Sequence, residues 1–436
     1  MGLFGHSDSR LSRRSATVSV LDIGSSKITC LVGHLAPAAP GEALRGRTHS
    51  IRVVGFGHQR SRGVKAGVIA NLDAAEAAIR VAVDAAERQA GITVESLIVN
   101  VSAGRLASER TAAWMALSGQ PVGDADIGAV LALGRRHAVA AGRAPVHAQP
   151  TAFSLDGAGG ISDPTGMVGQ RLGVDMHVVT ADAPPLRNLE LAVNRCHLSV
   201  AALVASPYAA SLAVLADDEP ELGCAVIDLG GGTTTIAVFD RGRFVHIDAI
   251  AVGGQHITTD IARGLSIRID DAERLKTVHG SALPGFSDDR EVLTVKPVGE
   301  DDEHAGVQHI ARAQLTRIIR PRVDEILELV RDRLNASGFA SMFGRRLVLT
   351  GGASQLTGLV ESARRTLARD VRLGRPLGVS GLPEVARGPA FAAAAGLMIY
   401  PQVAGMEMSD DRESDYVMTG TGGYFARVSD WFRRSF

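Results

Sequence analysis

Hydrophobic and polar positions alternate in two stretches of the chain, and each stretch predicts a strand, a glycine turn and a second strand. The stretches are "VLDIGSSKITCLV" (20–32) and "VIDLGGGTTTIAV" (226–238). In both, an apolar residue, Asp, an apolar residue, Gly and two small residues follow one another. An internal repeat separated by roughly two hundred residues indicates a duplicated α/β domain.

The segments after the first hairpin continue this α/β pattern. Residues 51–59 predict a third strand of the first meander. Residues 71–91 predict a helix that Asn71 or Asp73 can cap and Gly91 can end. Strand and helix signals then alternate as far as the second repeat.

Three further stretches predict elements of the second half. "LSVAALVASPYAASLAVLA" (198–216) is apolar but is broken by Ser-Pro, which favours a buried helix pair over a membrane span. Residues 313–338 predict a long helix in which Pro321 implies a kink or an early turn. "LVLTGGASQLTG" (347–358) predicts a strand, a Gly-Gly turn and a helix.

Composition narrows the class of protein. The chain has 436 residues, enough for two or three domains or one large two-lobed body. Its 46 basic and 47 acidic residues nearly cancel, so we expect no nucleic-acid partner. Cys30, Cys196 and Cys224 lack metal-ligand spacing, which favours reduced thiols in a cytosolic protein. Residues 1–14 are polar, are predicted to be disordered and lack the apolar core of a signal peptide.

The first hairpin tip, "DIGSSK", has the chemistry of a phosphate site. Gly24, Ser25 and Ser26 leave backbone N–H groups unpaired, and their small side chains let a phosphate approach. Lys27 adds a mobile positive charge, and Asp22 could hold magnesium through water. The alternative is an ordinary Asp-Gly hairpin turn.

The second tip, "DLGGGTT" (228–234), carries a stronger signal. Three successive glycines after an apolar strand indicate close approach of a ligand to the backbone, with the Thr233 and Thr234 hydroxyls nearby. A plain bulged hairpin is the alternative. Gly351 and Gly352 then stand at a predicted strand-to-helix junction, which favours anions unless it is an ordinary α/β turn.

The order and spacing of these three turns resemble those of the actin, heat-shock-chaperone and sugar-kinase superfamily. The resemblance implies a two-lobed α/β ATPase fold of duplicated RNase H-like domains that binds ATP and magnesium. "DAERLKTVHG" (271–280) is similar to the superfamily helix whose Glu and Lys contact ribose and adenine. The resemblance implies ATP contacts from Gly24, Ser25, Ser26, Lys27, Gly230, Gly231, Gly232, Thr233, Thr234, Glu273, Lys276, Gly351, Gly352, Ala353 and Gln355. It implies water-mediated magnesium contacts from Asp22 and Asp228.

One position departs from the superfamily pattern. In relatives that hydrolyse ATP, the first connecting helix opens with a Glu or Gln that orients the attacking water. Ser206, before Pro207, stands at that place, and a serine cannot act as a carboxylate base at neutral pH. We therefore expect ATP binding with at most slow hydrolysis, and no catalytic residue is assigned.

Within the superfamily, residues 15–436 resemble the bacterial cell-division family FtsA. The resemblance rests on both phosphate motifs, on the stretch 93–174 in place of the actin insertion, on the 347–358 turn and on the terminus. The implied division is subdomain 1A at 15–92, 175–209 and 385–401, subdomain 1C at 93–174, subdomain 2A at 210–253 and 312–384, subdomain 2B at 254–311, a flexible linker at 402–423 and an amphipathic helix at 424–436.

The FtsA resemblance implies an adaptor that polymerises like actin and tethers FtsZ filaments to the cytoplasmic face of the inner membrane at the division septum. It also implies contacts with later divisome proteins. The C-terminal tail of FtsZ is expected on subdomain 2B and the following helix, with Arg312 and Arg320 as candidate contacts; Arg317 and Arg322 add to the basic character of that helix. A solvated helix face is the alternative for any one of these arginines.

The terminal segment "YFARVSDWFRRSF" (424–436) predicts an amphipathic helix that lies in a membrane interface, because its aromatic and basic residues fall on opposite sides of a helix. The acidic, aperiodic stretch 402–423 predicts a flexible linker before it. The alternatives are a terminal helix docked on the protein itself and a helix that binds a partner. The predicted contacts with anionic lipids are Phe425, Arg427, Val428, Trp431, Phe432, Arg433, Arg434 and Phe436.

Other functions of the same superfamily stay open at this point. A small-molecule kinase would need a catalytic Asp and a substrate cleft, and would gain nothing from the terminal helix. A chaperone-type ATPase would need a peptide-binding domain after residue 400. A pilus-assembly relative of FtsA would lack binding to the FtsZ tail.

Overall fold

The computed structural model describes residues 15–38, 47–102, 104–137, 140–216, 218–286, 288–298, 307–340 and 346–404. The predicted terminal helix (424–436) and the predicted disordered N-terminus (1–14) lie outside the described residues.

The strands of the described ranges lie in three main sheets and two short hairpins. In chain order they are β1 (Ala16–Ile23), β2 (Lys27–Pro37), β3 (His49–Arg60), β4 (Val64–Lys65), β5 (Val68–Ile69), β6 (Ser96–Val101), β7 (Ala107–Ala116), β8 (Arg143–Leu155), β9 (Ala158–Ile161), β10 (Arg171–Asp182), β11 (Ser199–Ala205), β12 (Cys224–Leu229), β13 (Thr234–Asp240), β14 (Arg243–Ile250), β15 (Val292–Val295), β16 (Gln308–Ala311), β17 (Arg346–Thr350), β18 (Asp370–Leu373) and β19 (Val379–Ser380).

The helices pack against these sheets and, in the second lobe, against one another, as α6 does with α7 and α8. In chain order they are α1 (Leu72–Ala90), α2 (Asp124–His137), α3 (Ala183–Asn194), α4 (Ser206–Val214), α5 (Glu219–Leu222), α6 (Gly254–Leu265), α7 (Ile269–His279), α8 (Arg312–Ala336), α9 (Leu359–Leu367) and α10 (Ala392–Ile399). Short 3₁₀ helices occupy Gly352–Gln355, Glu384–Ala386, Pro389–Phe391 and Tyr400–Gln402.

The first lobe is built on a six-stranded sheet of order β11-β6-β1-β2-β3-β19. The antiparallel β1–β2 hairpin pairs Ile23 with Ile28, and β6 runs parallel to β1. Helix α1, which packs on this sheet, has the predicted ends: the Asn71 side chain accepts the N–H of Ala74 (2.9 Å), and Gly91 ends the helix with φ +68°.

The second lobe repeats this plan with a five-stranded sheet of order β14-β13-β12-β17-β18. Its antiparallel β12–β13 hairpin pairs Leu229 with Thr234, and β17 runs parallel to β12. In both lobes, therefore, a glycine tip joins the first two strands of a meander, and a parallel strand lies on the other side of the first strand. The predicted duplication is confirmed.

The insertion between the lobes is a four-stranded sheet of order β7-β10-β8-β9 with α2 against it and a hydrophobic core of its own. Its predicted bounds, 93–174, are wrong at both ends. Strand β6 is entirely buried in the first-lobe sheet, where it pairs with β1 and β11. Strand β10 runs without a break to Asp182 and pairs with β7 and β8.

The insertion also contacts the second lobe. The Ser108 hydroxyl accepts the N–H of Ile247 (2.7 Å), and the His177 Nδ1–H donates to the carbonyl of Phe244 (3.0 Å). Ser108 and His177 belong to the insertion, whereas Phe244 and Ile247 belong to β14. The insertion is thus held by both lobes.

Two other predicted boundaries need correction. Strand β19 pairs with β3 through Val379 and Ile51, so the chain returns to the first lobe before residue 385. The predicted linker begins too early, because Gln402 and Val403 are buried and Gln402 accepts hydrogen bonds from the first lobe. The folded body therefore includes 402–404.

The stretch 198–216 is not a helix pair. Its first half is strand β11, which extends the first sheet beside β6, and its second half is helix α4. The change of element occurs at Ser206 and Pro207, and Pro suits the first turn of a helix because that turn leaves N–H groups unpaired in any case. Helix α8 continues through Pro321.

Candidate functional site

A cavity of about 540 Å³ lies between the two lobes, where the glycine tips of both meanders meet. It gathers every predicted ATP-binding residue except Thr234. The predicted residues that line it are Asp22, Gly24, Ser25, Ser26, Lys27, Ser206, Asp228, Gly230, Gly231, Gly232, Thr233, Glu273, Lys276, Gly351, Gly352, Ala353 and Gln355. Thr234 does not line the cavity, since its side chain is buried in strand β13 and donates to the carbonyl of Val252 (2.8 Å).

The two tips have the same local geometry. In the first, the N–H of Gly24 donates to the carbonyl of Lys27 (3.0 Å); in the second, the N–H of Gly230 donates to the carbonyl of Thr233 (2.9 Å). Each turn therefore closes on itself. Among the described residues, the apex N–H groups of Ser25, Ser26, Gly231 and Gly232 have no acceptor, and unpaired N–H groups in such a turn favour anions.

The tips also face each other closely enough to require glycine. A Cβ atom on Gly232 would lie 2.5 Å from the Ser25 hydroxyl oxygen, and one on Gly231 would lie 3.0 Å from the Ser26 Cβ. The Gln255 side-chain amide crosses between the lobes and donates to the carbonyl of Ser25 (2.8 Å). The glycines therefore allow the two lobes to approach around the cavity.

Two carboxylates and one lysine form the charged end of the cavity. Burial raises the pKa of Asp22, and the neighbouring Lys27 lowers it in part. The pKa of Asp228 is raised to about 7, first by burial and then by the charge of Asp22. Burial lowers the pKa of Lys27, while Asp22 and Asp228 oppose that shift.

This charged end fits a divalent cation. Asp22 and Asp228 both line the cavity and offer oxygen ligands, which magnesium prefers. The Lys27 ammonium donates to the carbonyl of Ala390 and lies 4.4 Å from the centre of the Phe391 ring. These contacts hold Lys27 in place without a direct ion pair to Asp22 or Asp228. Among the described residues, no group of three or more His, Cys, Asp or Glu side chains forms a metal cluster.

The third turn differs from its prediction. Gly351 has φ +86° and leads into the 3₁₀ turn Gly352–Gln355, and α9 begins only at Leu359. The glycines therefore do not precede an α-helix directly. Gly351 is required for close packing instead, because a Cβ there would lie 2.2 Å from Asp228 Oδ1.

The predicted Glu–Lys pair lies on the second-lobe side. The Lys276 ammonium is 2.6 Å from the Glu273 carboxylate and 2.8 Å from the Thr258 hydroxyl. It also donates to the carbonyl of Gly254 (3.1 Å). Lys276 is thus held in place, while Glu273 remains about half exposed toward the cavity.

Several lining residues were not predicted. Asn100, Ser102 and Gln255 contribute polar side chains, and Pro389 and Ala390 contribute backbone. Asn100 had a signal in the sequence, since it is a polar residue within the apolar run "LIVNV". The others come from segments whose proximity depends on the folding of distant strands.

The family model described as "Cell division protein FtsA" matches residues 225–396, and the model "SHS2 domain inserted in FTSA" matches residues 103–180. The cell division protein FtsA of Rhizobium meliloti (strain 1021) is 58% identical over 443 residues, which cover 100% of each chain. The chain belongs to the FtsA family.

More distant FtsA relatives extend the match. The cell division protein FtsA of Pseudomonas aeruginosa is 33% identical, with 95% of this chain and 97% of the relative covered. The SHS2 match at 103–180 agrees with the observed insertion from β7 to β10 and not with the predicted 93–174.

Solved structures show the actin-like fold. A "PilM-PilN type IV pilus biogenesis complex" aligns with TM-score 0.61 at 16% identity, covering 88% of this chain and 98% of that chain. MreB5 of Spiroplasma citri bound to ADP aligns with TM-score 0.50 at 13% identity, covering 88% and 95%. The predicted fold class is confirmed.

The predicted FtsZ-tail arginines of this FtsA chain have unequal surroundings. Arg312 is largely engaged within the protein: it lies 2.9 Å from the Glu291 carboxylate and donates to the carbonyl of His279 (3.0 Å). Arg320 is more exposed and lies 3.5 Å from the Asp324 carboxylate. The basic character expected for α8 is therefore reduced at its start.

The residues predicted to contact lipid lie outside the described part of this FtsA chain. Within the described part, no helix has the length and apolar character needed to cross a membrane.

Proposed function

We propose that this FtsA family member is an actin-like, ATP-binding cell-division protein that polymerises on the cytoplasmic face of the inner membrane. There it tethers FtsZ filaments at the division septum and helps to recruit later divisome proteins. The observation that carries the proposal is the pair of glycine tips facing one another across a 540 Å³ cavity in a chain that matches an FtsA over its full length.

ATP with magnesium is the proposed ligand of the cavity. The apex N–H groups of the two tips, those of Ser25, Ser26, Gly231 and Gly232, suit phosphates, and Asp22 and Asp228 would hold magnesium through water. Magnesium, when bound, would neutralise phosphate charge. The ADP in the similarly folded MreB5 structure supports a nucleotide as the ligand.

Hydrolysis of ATP is proposed to be slow at most. Ser206, the first residue of α4, lines the cavity where hydrolysing relatives have Glu or Gln. A serine hydroxyl cannot remain deprotonated at neutral pH as a general base requires. ATP would then act mainly as a structural ligand between the lobes.

The FtsZ tail is proposed to bind near α8 and subdomain 2B. Because Arg312 already pairs with Glu291, the exposed Arg320 is the stronger candidate contact with an acidic peptide. The self-contacts of the filament and the contacts with other divisome proteins are proposed from the family alone.

Membrane attachment is proposed for the segment 424–436. Its aromatic side chains would enter the lipid interface, while each Arg near anionic lipid adds about 1 kcal/mol. A single short segment would bind reversibly, and polymerisation would strengthen binding because many copies act together.

A liposome assay tests the proposed membrane attachment and the proposed binding of the FtsZ tail together. The full chain should sediment with anionic liposomes and carry a fluorescent FtsZ-tail peptide with it, whereas a chain lacking 424–436 should leave both in the supernatant. Trp431→Glu should act like the truncation, because it places a charge on the apolar side of the helix.

The other tryptophan supplies a matched control. Trp114 is exposed on β7 of the insertion, with the Arg171 guanidinium 3.7 Å from the centre of its ring. Trp114→Glu introduces the same charge outside the terminal segment, so pelleting should persist. Equal pelleting of the full chain, the truncation and Trp431→Glu would refute the proposed anchor.

A further inference from the structure

Asn100 joins the two elements of the first lobe that border the cavity. Its side-chain oxygen Oδ1 accepts the N–H of Ile23 (2.6 Å), the last residue of β1 before the first glycine tip. Its side-chain nitrogen Nδ2 lies 3.0 Å from the hydroxyl oxygen of Ser206, the first residue of α4. Asn100 and Ser206 are both buried, and both line the cavity.

The polarity of this network follows from its donors. A backbone N–H can only donate, so Oδ1 of Asn100 must face Ile23. The amide nitrogen therefore faces Ser206, and because an amide nitrogen only donates, the Ser206 oxygen must accept. The hydroxyl proton of Ser206 therefore cannot point at Asn100. Among the described residues, no acceptor forms a hydrogen bond with this proton.

A buried hydroxyl whose proton has no hydrogen-bond acceptor is suited to donate to an anionic ligand. Buried polar groups are normally hydrogen-bonded, and bonds from a neutral donor to a charged oxygen are stronger than neutral ones. The proposed ribose and adenine contacts, Glu273 and Lys276, come from the second lobe. The pair Asn100–Ser206 belongs to the first lobe and adjoins the first phosphate tip, so it is suited to the phosphate end of a nucleotide.

We propose that Ser206 donates its hydroxyl proton to the terminal phosphate of a bound nucleoside triphosphate, and that Asn100 is the positioning residue that fixes this polarity. This inference rests on the proposed nucleotide site. A diphosphate lacks the terminal phosphate group, so the pair discriminates ATP from ADP. Ser206, which stands in place of the usual carboxylate or amide, thus recognises the triphosphate by donating a hydrogen bond to it. A general base at this position would instead accept a proton from water.

The first test compares Kd for ATP and for ADP, both with magnesium, by titration calorimetry. Ser206→Ala should weaken ATP binding roughly tenfold, the typical effect of removing one hydrogen bond to a charged group, and should change ADP binding by less than about twofold. Ser206→Thr retains the hydroxyl and should restore most of the preference for ATP.

A matched control lies one turn along the same helix. Ser211 is also buried, but its hydroxyl donates to the carbonyl of Pro207 and the residue does not line this cavity. Ser211→Ala makes the same chemical change in α4 and should leave the ratio of the two Kd values unchanged. A thermal melt of each variant checks that it folds. If Ser206→Ala fails to fold, Ser206→Cys replaces it, since a thiol is a weak donor of similar size.

The positioning role of Asn100 needs a double-mutant cycle. Asn100→Asp retains an oxygen for the Ile23 N–H but accepts the Ser206 proton, which turns that proton away from the ligand. The added negative charge also weakens ATP binding, but it does so with or without the Ser206 hydroxyl. Asn100→Asp should therefore reduce the preference for ATP several-fold more in the parent chain than in the Ser206→Ala background.

The outcomes separate the two proposals. If the parent chain binds neither ATP nor ADP, the proposed nucleotide site fails and this inference fails with it. If the parent chain binds ATP but Ser206→Ala weakens both nucleotides equally, or neither, the site stands and the discrimination by Ser206 is overturned. Additive effects of Asn100→Asp and Ser206→Ala would overturn the positioning role of Asn100.

Discussion

Two glycines with left-handed backbone have very different surroundings. Gly351 (φ +86°) would place a Cβ 2.2 Å from Asp228 Oδ1 and 2.4 Å from the carbonyl oxygen of Leu229, whereas a Cβ on Gly338 (φ +78°) would meet nothing within 4 Å. The backbone disfavours alanine at both positions, and most strongly at Gly351, whose ψ of 165° lies in a region almost confined to glycine; only position 351 adds a collision with the cavity wall.

Alanine at position 338 should add backbone strain alone, whereas alanine at position 351 should add both backbone strain and a collision with Asp228. We expect Gly338→Ala to lower the free energy of unfolding by about 1–2 kcal/mol and to leave ATP affinity unchanged. Gly351→Ala should lower the free energy of unfolding by more than Gly338→Ala does. It should also abolish ATP binding, because Asp228 must move. Urea unfolding and calorimetric ATP titration of both variants measure the two effects, and retained ATP affinity in Gly351→Ala would contradict the site.

His177 should make the contact between the insertion and the second lobe sensitive to acid, because its ring bonds to the carbonyl of Phe244 in β14. Burial lowers the pKa of His177 from 6.5 to about 3, although its hydrogen bond to the carbonyl of Phe244 opposes that shift. A histidine whose folded pKa is depressed stabilises the fold fully above pH 6.5, and this contribution is lost as the pH falls toward 3.

Replacing this histidine should reduce the loss of stability in acid. Between pH 8 and pH 5, the parent chain should lose about 2 kcal/mol more unfolding free energy than His177→Gln, because only the parent has this histidine to protonate in the unfolded state. Urea titrations at both pH values measure the difference. Identical pH dependence of the two proteins would show that His177 is not depressed in this way.

At the scale of elements, the beginning of α1 illustrates a local signal with a measurable effect. Asn71 is exposed, and its side chain accepts the N–H of Ala74 at the first turn of the helix. We expect Asn71→Ala to lower the unfolding free energy by about 1 kcal/mol and Asn71→Asp to be nearly neutral. Thermal melts of the three proteins check this, and an Asn71→Ala chain as stable as the parent would contradict the capping role.

Elements that are specified by a few neighbouring residues were predictable from the sequence. Elements whose place depends on pairing with a strand far away in the chain were not. The tips at 24–27 and 230–233 follow from glycine turn chemistry, and α1 follows from its cap and its terminal glycine. By contrast, β6 belongs to the first lobe only because it pairs with β1, more than seventy residues earlier in the chain. A single apolar run such as 198–216 does not reveal that its first half completes that same sheet.

The same distinction holds within the site. The residues of the three glycine turns were predictable because their sequence and conformation are coupled over a few positions. The position of the Thr234 side chain was not predictable, because a shift of one residue along a strand decides whether a hydroxyl faces the cavity or the strand interior. Asn100 and Gln255 were missed because they reach the cavity from strands and helices far away in sequence.

At the scale of the molecule, one exposed ion pair crosses between the lobes. Arg60, at the end of β3, lies 2.6 Å from Asp270 at the start of α7, and both side chains are about two-thirds exposed. Exposed pairs are weak and are screened by salt, so this contact should influence the rate of opening more than the fold.

Removing the pair should speed nucleotide release at low ionic strength. We expect Asp270→Asn to raise the dissociation rate of a fluorescent ATP analogue by no more than about fivefold, and this effect should disappear near 1 M salt. Asp73→Asn is the control, since the exposed Asp73 pairs with Arg195 within the first lobe (2.7 Å). A salt-independent effect, or an equal effect in the control, would argue against an interlobe contact.

The last described residues determine where the folded body would carry a mechanical load. The side chain of Gln402 accepts the N–H groups of Thr48 and His49, each at 3.0 Å, and Val403 is buried beside them. The chain therefore leaves the body from the first lobe. If the segment beyond it is anchored, tension enters the molecule through the first lobe, whereas the proposed FtsZ contact, Arg320, lies on α8 of the second lobe. A load between FtsZ and the membrane would therefore pass through the contacts that join the two lobes around the cavity.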